Sequence, residues 1–161
     1  MAPGGTGGFV TTWSDVRNGA SNPYWIYMQR LDGSGVPQWT TDGVPVRTTM
    51  GISLPVVVAQ TWDGSTGWVM AWHDNYPLSS SPTQVYVQRM NPDGTPAWAP
   101  TGVQISTAAN TRVEPRLVIA GSGTVLAVWQ DYRSGTQNDI YASRLLPDGT
   151  IPVTLSGFSL E

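Results

Sequence analysis

The chain repeats itself three times, and this repetition constrains its fold more than any other feature. Three segments that end in Trp-x-Asp lie at residues 9–15, 69–74 and 126–131, and their tryptophans recur about 58 residues apart. A period of this length over most of the chain predicts stacked copies of one supersecondary unit. We place the repeats at approximately residues 9–52, 53–109 and 110–161, within a single domain over residues 1–161.

Each Trp-x-Asp segment is followed by a loop and a second strand pattern, in which an Arg comes three residues after a Tyr. These patterns lie at residues 26–31, 85–90 and 140–145. Three positions beyond the Arg also align: two are glycine in every repeat, and one is tryptophan in the first two repeats and Val153 in the third. They are Gly35, Gly94 and Gly149, then Trp39 and Trp98, then Gly43, Gly102 and Gly157.

Each unit divides into four short strands, separated by turns rich in Gly and Pro. Segments 54–59 and 115–120 are nearly continuous apolar runs and predict first strands that are buried on both faces. Segment 85–90 alternates and predicts a half-buried strand, with Tyr86 and Gln88 on one side and Val85 and Val87 on the other. The expected fold class is all-β, with propeller blades of four antiparallel strands and three blade repeats per chain.

The pattern Trp-x-Asp, Ile-Tyr-x-Gln-Arg-Leu, Asp-Gly and Trp resembles the β-propeller blade repeats of many bacterial surface and secreted proteins. It is also similar to sialidase-like propellers with Asp-box turns. The resemblance covers about residues 9–160. It implies a propeller fold and an extracellular or cell-surface location in a bacterium. It does not choose between enzyme, lectin and scaffold, because such blades serve all three.

Nothing before Phe9 matches the first strand of the other repeats, so we expect the first blade to be incomplete and the chain to have eleven strands. Propellers close with about four to eight blades. Three blades therefore require either a homodimer that completes a six-bladed ring or the rest of a longer chain. Two-fold symmetry is the commonest closed arrangement and favours the homodimer, whereas the missing strand favours the longer chain.

Charge and composition exclude several classes of partner. A formal net charge of −3 argues against non-specific nucleic-acid binding, which needs a basic face. The absence of cysteine excludes disulfides and thiolate metal sites, and it fits an exported protein as well as a cytosolic one. No apolar run approaches the roughly 18 residues of a membrane span. Residues 1–8 lack the charged and apolar regions of a signal peptide.

Repeated Asp–Arg pairs are the first candidate for chemistry. Arg17 and Arg133 each lie two residues after the Asp of Trp-x-Asp, and Tyr76 takes this place in the second repeat. Arginines near a ring axis would grip a carboxylate, as the arginine cluster of sialidases does. The alternative, which recurrence favours, is structural: the Asp caps the next loop and pairs with the Arg.

A glycosidase needs two carboxylates that face one bond. Only two glutamates are present, Glu114 and Glu161, and no spacing singles out a catalytic pair. His73 is the only histidine and has no evident companions for a metal, so we expect a solvated side chain. We predict no enzyme activity, no cofactor and no metal.

Trp25 and Trp62 match no repeat position and are the remaining candidates. Trp25 aligns with polar residues, and Trp62 lies in the turn-forming sequence Thr61-Trp62-Asp63-Gly64-Ser65, so both are expected to be exposed. Exposed aromatic rings suit sugar stacking or a protein contact, and packing on a neighbouring loop is the alternative. The sequence thus predicts a non-catalytic extracellular recognition or assembly module. Its candidate ligand-binding residues are Trp25, Trp62, Arg17, Arg133 and His73. A glycan-binding lectin, which would use Trp25 and Trp62, is the first alternative, and a sialidase-like hydrolase is the second.

Overall fold

The chain folds into three antiparallel sheets of four strands each. The computed structural model describes residues 2–3, 7–17, 24–48, 56–65, 67–74, 83–108, 114–152 and 154–158. Sheet I contains β1 (Ala2–Pro3), β2 (Phe9–Asp15), β3 (Trp25–Leu31) and β4 (Val44–Pro45). Sheet II contains β5 (Val56–Trp62), β6 (Trp68–Asp74), β7 (Gln84–Met90) and β8 (Val103–Gln104). Sheet III contains β9 (Arg116–Ala120), β10 (Thr124–Asp131), β11 (Asp139–Leu145) and β12 (Thr154–Phe158).

The strands of every sheet lie in chain order, so each sheet is a meander. The all-β class and the order of strands within each repeat are therefore confirmed. The expected count of eleven strands is wrong, because Ala2 and Pro3 pair with Val10 and Phe9 as a short first strand. In the part of the chain that the structure describes, no helix is long and apolar enough to cross a bilayer.

The register is the same where the repeats align. Trp13, Trp72 and Trp129 stand opposite Tyr27, Tyr86 and Tyr141 in the pairing of the second and third strands. Within each pair the rings are stacked, with centroids 5.8–6.3 Å apart. The third repeat departs at its fourth strand, where a bulge interrupts the pairing of β11 with β12.

Sheet II lies between the other two sheets and contributes to both hydrophobic cores. Alternation along β6 sends Trp68, Met70 and Trp72 to the interface with sheet I, which we call interface I/II. Val69 and Ala71 point the other way, to interface II/III. Each core is thus built from one face of sheet II and one face of a neighbour.

Position in the stack corrects two expectations about burial. β7 was predicted to be half-buried, but Gln84–Gln88 are all buried because both faces of sheet II are covered. β9 was predicted to be buried on both faces, but Arg116, Val118 and Ala120 are exposed, because no element among the described residues covers that side of sheet III. Pro55 and the other residues before β5 lie outside the described residues.

Candidate functional site

In sheets I and III, the Arg of each Asp–Arg pair contacts the Asp and the Tyr of its own sheet. Arg17 donates to both carboxylate oxygens of Asp15, and its guanidinium carbon lies 3.7 Å from the ring centroid of Tyr27. Arg133 donates to Asp131 at 2.5 Å and stacks on Tyr141 at the same distance of 3.7 Å. The backbone N–H of each Arg also donates to its Asp, which is the predicted capping of the loop.

These contacts hold the carboxylates in their charged form. Hydrogen bonds from the Arg17 side chain lower the pKa of Asp15. Burial alone would raise the pKa of Asp131, but hydrogen bonds from Arg133 and from the indole of Trp129 outweigh it and lower the pKa. Both carboxylates are therefore held in their charged form near neutral pH. A carboxylate-binding role for Arg17 or Arg133 stays a prediction, and it would require breaking these pairs.

In sheet II, the arginine close to the Tyr ring comes from sheet I. Its aligned residue, Tyr76, lies outside the described residues. Arg47 of sheet I is buried, and its guanidinium carbon lies 5.7 Å from the ring centroid of Tyr86. A guanidinium thus accompanies the Tyr of all three sheets, and in sheet II this contact also joins two sheets.

Trp25 and Trp62 are less exposed than expected. Trp25 is half-buried and pairs with Asp15 at the start of β3. Trp62 is the last residue of β5 rather than part of the turn, and it packs edge-to-face on Trp68 with centroids 5.2 Å apart. Trp68 was missed in the sequence, although it lies four residues before Trp72, where Phe9 stands in the first repeat.

His73 is not the solvated side chain that the sequence predicts. It is half-buried in β6, and its Nδ1 is buried without a hydrogen-bond partner among the described residues. Burial lowers the pKa of His73, against the weaker opposite effect of Glu114. The described ranges contain no group of three or more His, Cys, Asp or Glu side chains that would hold a metal ion.

A cavity of about 530 Å³ opens at one end of interface II/III. Its wall contains Asp63, which accepts two hydrogen bonds from Arg89 at 2.6 and 2.8 Å. Burial would raise the pKa of Asp63, and hydrogen bonds from Gly67, Ser65 and Arg89 lower it. Because these two charges satisfy each other, the cavity presents no unpaired charge to a ligand.

A tryptophan of sheet I contacts a turn of sheet II, and a tryptophan of sheet II contacts a turn of sheet III. Trp39 donates its indole N–H to the Pro92 carbonyl at 2.9 Å, and a Cβ added to Gly94 would lie 3.1 Å from the indole. Trp98 repeats the arrangement at interface II/III, with its N–H 3.0 Å from the Pro147 carbonyl and its ring against Gly149. We call this arrangement the Trp–turn contact.

A glutamine in each of these sheets holds the loop that carries the tryptophan. The Gln29 amide accepts from the backbone N–H of Trp39 at 3.1 Å and donates to the Thr40 carbonyl at 2.6 Å. Gln88 makes the equivalent pair of bonds, accepting from the Trp98 N–H and donating to the Ala99 carbonyl. The Gln of the repeat motif is thus part of the Trp–turn contact, which the sequence did not reveal.

The two outward faces of the stack expose positions that the internal interfaces bury. Ile140 on the outer face of sheet III is 57% exposed, although its aligned residues Ile26 and Val85 are 0% exposed. Phe9 on the outer face of sheet I is 36% exposed, whereas its aligned residue Trp68 is 1% exposed. Neighbouring residues on the same outer faces are half-buried or exposed: Thr11 and Trp13 on sheet I, and Val118, Leu126 and Val128 on sheet III.

Comparison of the chain with protein-family models, with curated proteins and with solved structures found no match. The functional argument therefore depends on the chain's own geometry, in which the two outer faces are the most distinctive surfaces.

Proposed function

We propose that this chain is a non-catalytic extracellular recognition or assembly module built from β-propeller blades, with two outer faces that join further sheets of the same kind. The observation that supports it most is the exposure of the outer faces. Apolar residues at the aligned positions are fully buried wherever a second sheet is present, as Ile26 and Val85 are. Covering the exposed part of a side chain such as Ile140, which is 57% exposed, is worth about 1–2 kcal/mol.

The arrangement of the sheets supports blades rather than an unrelated sandwich. The first strands of neighbouring sheets contact one another, β1 with β5 and β5 with β9. Each sheet follows its neighbour in chain order and repeats the same meander. First strands side by side in successive sheets are expected of blades arranged around an axis. The extracellular location is carried only by the resemblance and is part of the proposal.

The chemistry of the candidate residues supports a binding role more than catalysis. Asp15, Asp63 and Asp131 are each bonded to an arginine and have lowered pKa values. Glu114 lies at the surface beside Arg116, with 3.8 Å between the charged atoms. A glycosidase would need one carboxyl group that stays protonated near neutral pH, opposite a second carboxylate.

The proposal is tested by two assays on the full chain. We expect no turnover of aryl glycosides and no saturable signal on a glycan array. Binding on the array that Trp25→Ala or Trp62→Ala abolishes would replace the proposal by a lectin. Hydrolysis above the blank that is lost in Asp131→Asn would replace it by a hydrolase.

A further inference from the structure

The Trp–turn contact has two halves, and both internal interfaces contain both of them. The donor half is the Gln and the Trp that it holds, Gln29 with Trp39 and Gln88 with Trp98. The acceptor half is a Pro-Asp-Gly turn, whose Pro carbonyl accepts the indole N–H and whose Gly lies under the ring. The Asp of each turn accepts from the Thr that follows the Gly.

The outer face of sheet III lacks the donor half, and the outer face of sheet I lacks the acceptor half. Sheet III has Ser143 in place of the Gln and Val153 in place of the Trp. The Ser143 hydroxyl is buried and has no hydrogen-bond partner among the described residues. Sheet I has Gly33-Ser34-Gly35 in place of Pro-Asp-Gly, and a Cβ added to Gly35 would meet nothing within 4 Å.

We infer that the outer face of sheet III docks on the outer face of sheet I of a second copy of this chain, in an interface without a Trp–turn contact. In a longer row of like sheets, the turn of sheet I would accept a tryptophan from a preceding sheet, and sheet III would offer one to a following sheet. A donor half lost on one face and an acceptor half lost on the other match each other. This reciprocal loss favours a second copy over an unrelated partner.

The two faces also carry a complementary pair of side chains. At interface I/II the Arg30 guanidinium lies 5.5 Å from the ring centroid of Trp68. Arg144 aligns with Arg30 and is exposed, and Phe9 aligns with Trp68 and is 36% exposed. Docking sheet III on sheet I of another copy places Arg144 over the Phe9 ring as Arg30 lies over Trp68.

Two copies joined this way form a closed assembly of six sheets with two identical interfaces. Six lies within the range of about four to eight blades in which propellers close. A two-fold axis relates the copies, so that every outer face is covered and none is left to propagate a fibre. The inference depends on the proposed function, since it names the partner of the proposed outer faces.

The experiment uses the full chain and pairs of surface variants. Light scattering on a sizing column is expected to give twice the 17.3 kDa of one chain. Ile140→Asp and Phe9→Asp, one on each outer face, are each expected to give a monomer. Val16→Asp is the matched control, because Val16 is 42% exposed in a loop and lies on neither face. Circular dichroism checks that each variant is folded.

Mixing the two face variants distinguishes the proposed contact from other dimers. Ile140→Asp and Phe9→Asp chains together retain one unmodified interface, so the mixture is expected to recover a dimer, seen by native mass spectrometry. Arg144→Ala keeps the test informative if an Asp variant fails to fold, since Arg144 is exposed. Because the dimer loses this contact at both of its identical interfaces, we expect its dissociation constant to rise about fivefold to thirtyfold.

A monomeric wild-type chain at micromolar concentration would overturn the inference. So would a dimer that only one of the two face variants disrupts, because that result indicates like faces in contact. Either result would leave the non-catalytic proposal standing if the glycan and glycoside assays stay negative. Turnover or glycan binding would overturn the proposed function whatever the mass.

Discussion

The Trp–turn contact can be tested by adding one methyl group at aligned glycines. Gly35, Gly94 and Gly149 have nearly the same positive φ, between 81° and 86°, so an Ala at any of them carries the left-handed cost of about 1–2 kcal/mol. They differ in what a Cβ meets: nothing within 4 Å at Gly35, the Trp39 ring at 3.1 Å, and the Trp98 ring at 2.8 Å.

The difference between the variants isolates the contact. In Gly149→Ala the indole must move off the turn, which removes its hydrogen bond, worth about 0.5–1.5 kcal/mol. The packing of a half-buried Trp98 ring is lost as well, at roughly half of the 3–5 kcal/mol of a complete Trp truncation. We expect Gly149→Ala to lose about 2–4 kcal/mol more than Gly35→Ala, with Gly94→Ala between them.

Urea unfolding followed by tryptophan fluorescence measures these losses, with all chains at one concentration because association of folded chains shifts the midpoint. The order Gly149→Ala, Gly94→Ala, Gly35→Ala, from least to most stable, supports the reasoning. Equal losses for Gly35→Ala and Gly149→Ala would refute it, because backbone strain alone would then explain both.

Three further predictions concern titration and stacking. Because burial lowers the pKa of His73, the folded state takes up a proton less readily than the unfolded chain. The free energy of unfolding should therefore fall as the pH drops through the unfolded pKa of about 6.5. In His73→Gln, the free energy of unfolding should change less over that part of a pH series. Because the pKa of Asp131 is lowered, its carboxylate stabilises the folded state above the unfolded pKa of about 3.9, and this stabilisation is lost as the pH falls through the lower folded pKa. Asp131→Asn should therefore lower the free energy of unfolding at pH 7 and much less at pH 2. Arg47→Lys should cost about 1 kcal/mol of unfolding free energy in urea, since an ammonium replaces the planar group over Tyr86; an unchanged midpoint would contradict the stacking.

The repeat alignment was sufficient to predict most of the strands and their order within each sheet, because the same strand patterns and turn residues recur in every copy. It did not predict the first strand of sheet I. Ala2 and Pro3 resemble no strand, and they pair only because β2 offers an unfilled edge. Burial was also beyond the pattern: β7 and β9 differ in exposure because of which sheets flank them, and local periodicity does not carry that information.

The candidate site was predicted least well where its parts come from different sheets. Trp25 and Trp62 stood out because they break the repeat, whereas the residues that join sheets follow it. Trp39 and Trp98 were recognised only as aligned positions of the repeat, and their partners on the turns of the next sheet are 49 to 53 residues away in sequence. Arg47 has no counterpart in the motif at all, so only the structure brings it to Tyr86.

Interface I/II has a consequence for oxidative chemistry. Met28, Met70 and Met90 lie there with no exposed surface, and they are three of the five methionines in a chain without cysteine. An oxidant reaches these thioethers only when sheets I and II separate, and a sulfoxide oxygen would then be too polar to return to the apolar core. Each opening in the presence of peroxide therefore risks becoming permanent until a reductase repairs it. The rate of methionine oxidation at these three positions should therefore report how often sheets I and II separate.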